Sequence, residues 1–86
     1  MNVTRETVAN MLGQYLRHSL ALGDLVDWAE RAMMEAEFPE ADAGAVASVV
    51  ARLGLADVRA FGLTWDDCET LLKRLGFEAR VEIVST

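Results

Sequence analysis

Residues 42–54 read Asp42-Ala43-Gly44-Ala45-Val46-Ala47-Ser48-Val49-Val50-Ala51-Arg52-Leu53-Gly54, and the fold turns on this stretch. Val46, Val49, Val50 and Leu53 recur at helical spacing, and from Ala43 to Ala56 the only charged residue is Arg52. A helix that is apolar on nearly every side belongs inside a protein. The sequence therefore predicts a helix over 43–53, capped by Asp42 and stopped by Gly54, with the rest of the chain coating it.

Upstream, two amphipathic helices are expected. The first covers 5–18, with Val8, Met11, Leu12, Tyr15 and Leu16 on one stripe, Thr4 as N-cap, and Arg17 and His18 near its end. The second covers 22–37. Ala21 is a poor cap, but Leu20 and Leu25 are spaced as a hydrophobic staple and Asp24 stands at the capping-box position. Leu22, Leu25, Val26, Ala29, Ala32, Met33 and Ala36 share its apolar face, while Asp27 and Arg31 are four apart on the other. Phe38-Pro39 ends it, because the residue before proline is pushed out of the helical region.

Downstream, residues 57–61 read equally as a helical turn or a short strand. Thr64 and Asp67 form a capping box that opens a fourth helix over 65–75, burying Trp65, Cys68, Leu71, Leu72 and Leu75 and ending at Gly76. The apolar period then changes from 3.6 to 2. Phe77, Ala79, Val81 and Ile83 alternate with Glu78, Arg80 and Glu82, the pattern of a half-buried strand. The expected fold class is α+β, mainly α: four helices in a small bundle plus one C-terminal strand over 77–84, in a single domain spanning 1–86.

The totals exclude several functions. Fourteen acids against eight bases give a net charge of −6 and a pI near 4.6, a field that repels phosphate backbones and anionic lipid. Neither nucleic acid nor membrane is expected as a partner. One cysteine and one histidine make neither an internal disulfide nor a zinc site, so no metal or cofactor is expected. No basic-then-apolar leader opens the chain and no apolar run approaches the ~20 residues of a membrane span; the cytoplasm is the expected compartment.

Enzyme signatures are absent: no Gly-rich phosphate loop, no HExxH, CxxC or GxSxG. His18 flanks an apolar stripe, Cys68 sits within one as a small hydrophobe, and Asp66-Asp67 are explained by capping. The segment 56–75 has the outline of a helix-turn-helix, but its second helix opens with Asp66, Asp67 and Glu69 where a DNA reader carries Arg, Lys, Asn or Gln.

The charge is unevenly placed. Residues 24–42 hold seven acids against Arg31 alone, so this segment carries the whole net charge of −6. Met34 falls on the polar face of the second helix and Trp28 at its edge. An acidic surface with Met and an aromatic residue suits protein binding. The candidate partner-binding residues are Asp24, Asp27, Trp28, Met34 and Glu35.

The runs Leu25-Val26-Asp27-Trp28-Ala29-Glu30 and 56–69 (ADVRAFGLTWDDCE) resemble a group of short uncharacterised bacterial proteins, over most of the chain; that resemblance implies no activity. The first half also resembles, in composition, small helical immunity proteins that neutralise colicin-type toxins, which would imply a basic protein partner. The expected function is a non-catalytic, acidic protein-interaction module, an inhibitor or immunity-like protein. The alternative is a small homodimeric regulatory protein using a degenerate helix-turn-helix-like unit at 56–75. A lone strand cannot satisfy its own backbone, so 77–84 is expected either to pair in parallel with a short strand at 57–61 of the same chain, or to pair antiparallel with a second copy, for which Glu78, Arg80, Val81 and Ile83 are the candidates.

Overall fold

A computed structural model describes residues 2–39, 43–58 and 62–79. It contains four helices: α1 (Arg5–Leu16), α2 (Leu22–Glu35), α3 (Ala43–Leu53) and α4 (Trp65–Arg74). Helices α1 and α3 each pack against the other three, whereas α2 and α4 do not meet. Val8 and Leu12 of α1, Leu25, Ala29 and Ala32 of α2, Val46, Val49, Val50 and Leu53 of α3, and Cys68, Leu71 and Leu72 of α4 form one continuous core. The mainly helical reading is correct, and α3 lies at the centre of that core.

Helix ends are set by local chemistry. Thr4 caps α1 by accepting from the Thr7 amide at 3.3 Å, and Thr7 returns the bond to the Thr4 amide. Thr64 and Asp67 do the same for α4, at 3.1 and 2.9 Å. Two of the C-termini share one motif. At α4 the Gly76 amide donates to the Lys73 carbonyl and the Phe77 amide to that of Leu72, with Gly76 at φ +87. At α1 the amides of His18 and Ser19 donate to the carbonyls of Tyr15 and Gln14 in the same pattern, but the left-handed position is filled by His18 at φ +62. This ends α1 at Leu16, two residues before the expected His18.

Other boundaries also shift. Helix α2 stops at Glu35 rather than Glu37, because Ala36 turns extended (ψ 151) and carries Glu37 to the N-terminal segment. There the Val3 amide donates to the Glu37 carbonyl at 2.9 Å, and Asn2 and Glu37 form an isolated parallel bridge. Val3 is thereby buried in the core. Gly54 is not a left-handed stop: its amide continues the helical ladder to the Val50 carbonyl, and tight turns run on through Val58. Asp57 and Val58 thus lie in turns rather than a strand, while 59–61 and the expected cap Asp42 fall outside the described residues.

Among the described residues no strand forms. Phe77–Ala79 run on without regular structure, with Phe77 and Ala79 packed against the core, and 80–84 lie outside the described residues. Arg5 holds this segment, its guanidinium 5.5 Å from the Phe77 ring centroid and donating to the Leu75 carbonyl at 3.5 Å.

Two substitutions test this frame. Leu72→Ala removes a side chain from the core and should cost about 2–5 kcal/mol. Gly76→Ala forces a left-handed backbone on alanine and sets its Cβ 3.0 Å from the Arg5 guanidinium, and should cost about 1–2 kcal/mol. Urea melts of both variants provide the check; an unchanged midpoint for Gly76→Ala contradicts the left-handed cap.

Candidate functional site

The solvent face of α2 carries the chain's charge. Asp24, Asp27, Glu30, Arg31 and Glu35 are all exposed, as is Glu37 beyond the helix. Among the described residues ion pairs join Arg5 to Glu6, Arg52 to Asp67 and Lys73 to Glu69. The expected Asp27–Arg31 pair does not close, and the carboxylates of α2 stay solvated.

At the C-terminal half of α2 this face meets an apolar groove. Glu30, Met33 and Met34 form one side, and Ala51, Gly54 and Leu55 form the other and the floor, enclosing about 530 Å³ open to solvent. Met34 is 80% exposed, Met33 46% and Leu55 43%, the largest cluster of uncovered apolar side chains described. Gly54 sits close under Glu30, since a Cβ there would lie 3.8 Å from Glu30 Cγ.

The groove exists because α3 is not covered on every side, contrary to the sequence expectation. Gly44, Ser48 and Ala51 are exposed and lie on one face, which leads to Leu55. These residues are too small to demand burial, and among the described residues no other helix covers them. Met33 is half-exposed for the same reason, although it lies on the apolar face of α2.

The predicted site residues are partly brought together. Asp24, Asp27, Met34 and Glu35 share the solvent face of α2, with Met34 entering the groove. Trp28 is half-buried against the core at the edge of that face. Of the proposed dimer strand, Glu78 is exposed, while Arg80, Val81 and Ile83 lie outside the described residues. Sequence reasoning missed Met33, Ala51, Gly54 and Leu55. The signal available for them was that one side of α3 carries only small residues.

A second concavity of about 540 Å³ lies where α1 ends and α2 begins, lined by Tyr15, His18, Leu20, Leu22, Leu63 and Trp65 among others. Trp65 was expected in the core but is 37% exposed, because it stands at the wall of this open concavity rather than inside the bundle. The Tyr15 hydroxyl donates to the Leu63 carbonyl at 3.4 Å and fixes one wall.

The groups with chemical potential are engaged structurally. Burial, reinforced by the Asp67 carboxylate, pushes the Cys68 thiol up to about 11, so it stays protonated near neutrality. Asp67 is held below the ordinary carboxylate range by the Thr64 amide and hydroxyl, with a smaller contribution from Arg52. Arg52 also donates to the Gly62 carbonyl at 3.1 Å, tying α3 to the start of α4. Among the described residues no three His, Cys, Asp or Glu side chains converge to hold a metal, and no helix is long and apolar enough to cross a membrane. Comparison with protein-family models, curated proteins and solved structures finds no match.

The depressed Asp67 pKa makes a signed prediction. The stability it contributes is present above the ordinary aspartate range and is lost as pH falls through the lowered folded value. Asp67→Asn should therefore be less stable than the parent near neutrality, with the two curves converging in acid. Urea melts across that pH range provide the check, and a constant offset between the curves counts against the cap.

Proposed function

We propose that this protein is a non-catalytic interaction module, an inhibitor or immunity-like protein, that engages a basic protein partner through the exposed face of α2. The observation that carries the reading is the meeting of solvated carboxylates with a large uncovered apolar side chain. Asp24, Asp27 and Glu35 surround no cation of their own except Arg31, and Met34 stands 80% exposed among them. Carboxylates placed this way speed encounter with a positive surface, while an exposed methionine adapts to the shape it meets. Trp28, half-buried, offers a rigid aromatic edge.

Quantitative affinity capture from native lysate tests this, comparing the parent chain with the Asp24→Lys/Asp27→Lys/Glu35→Lys variant. All three positions are exposed, so the fold should persist. A basic protein retained by the parent, released by salt and lost with the variant is the expected result. Equal retention by both chains overturns the reading.

A second reading, self-association through residues 77–84, draws support from one observation. Phe77 and Ala79 face the core while Glu78 faces solvent, which is the alternation of an edge strand. Light scattering at tens of micromolar should then report about twice the 9.4 kDa chain mass, and Val81→Pro should restore the monomer. A monomeric parent chain ends this reading.

A further inference from the structure

We infer that the groove between α2 and α3 is the seat for one amphipathic helix of a basic partner, which packs as a fifth helix against the exposed side of α3. This rests on the interaction reading above and names its occupant. Gly44, Ser48 and Ala51, followed by Leu55, span about three helical turns, or roughly 16 Å. A stripe of small residues lets a second helix backbone approach closely, and Met33, Met34 and Leu55 offer flexible walls for the side chains that enter. The occupant is thus a helix with apolar anchors three and four residues apart, rather than an extended peptide needing a free sheet edge.

Charge selects which helix. Glu30 lines the groove, Asp27 and Glu35 flank Met34 along α2, and Glu37 lies beyond. The last turn of α2 carries no basic residue, so its carbonyl end adds negative potential on the same side. A helix with Lys or Arg beside its apolar anchors complements this rim. A second copy of this chain does not, because a two-fold axis through the groove would set Glu30 and Glu35 against their own equivalents.

The test uses the full chain and a synthetic peptide of about 18 residues, long enough to form a helix on binding. The peptide carries Leu at i, i+3, i+4 and i+7 with Lys and Arg between. A scrambled peptide of the same composition and a version with Glu replacing the bases serve as controls. Titration followed by heteronuclear NMR should shift Met33, Met34, Ala51, Gly54 and Leu55, with salt-sensitive binding at least tenfold tighter than for either control. Met34→Glu should weaken the interaction about tenfold. Ala51→Leu, at an exposed helical position where the fold tolerates it, should do likewise by filling the floor while leaving the charge unchanged.

Equal binding of the scrambled peptide overturns the inference, as do shifts confined to Asp24, Asp27 and Glu35, or unweakened binding by Ala51→Leu. Contacts from Met34 to residues 81–84 in the free protein, or to a second copy, also overturn it by naming another occupant. If the lysate partner is retained while the peptide leaves the groove unshifted, only the helix fails. If the charge-reversed chain also captures as well as the parent, the interaction reading fails with it.

Discussion

Helix α3 carries four large apolar side chains that cannot meet water, and the rest of the chain is arranged to bury them. Val46, Val49, Val50 and Leu53 are fully buried. Burying such side chains is worth about 1.5–3 kcal/mol each. That gain requires α1, α2 and α4 to dock at once, because no one neighbour can enclose a helix. Helix α1 is the partner that makes this possible, touching all three others and leaving α2 and α4 apart. In a chain of 86 residues this shared burial is most of the available core.

Short polar devices place the helices around that core. Reciprocal threonine caps start α1 and α4. Left-handed residues end them, glycine at 76 and histidine at 18. Arg52 is the only charge on α3, and it reaches outward to the Gly62 carbonyl and the Asp67 carboxylate, joining the turn before α4 to the central helix. Arg5 does comparable work at the other end of α4, over Phe77 and against the Leu75 carbonyl. Asp67 therefore serves twice, as a cap and as the partner of Arg52, which explains a carboxylate held ionised at a helix start.

The surface follows from the same economy of side chains. The outer face of α3 carries only small residues and is left bare, and the methionines of α2 overhang its edge instead of closing it. Acids crowd the adjoining face of α2 without internal partners. A monomer gains nothing from either feature, since exposed thioethers and unpaired like charges stabilise little. Both are accounted for if the domain meets a basic surface there.

The sequence by itself determined the four helices, all four of their N-terminal starts and most of the core. Helical periodicity, caps and glycine stops are local signals, readable within one or two turns. The acidic face of α2 and the exposure of Met34 were legible in the same way, from one helical wheel. Only the tertiary structure decided how far those helices extend and which surfaces meet. Helix α2 gives up its last two expected residues because Glu37 finds a backbone partner in Val3, over thirty residues away in the chain. His18 takes a left-handed conformation in a position where glycine was absent, and Trp65 stays at the surface although it shares the apolar stripe of α4 with Cys68 and Leu72. The groove was invisible for the same reason: hydropathy records that Gly44, Ser48 and Ala51 do not resist burial, but whether anything covers them depends on where the other helices run out.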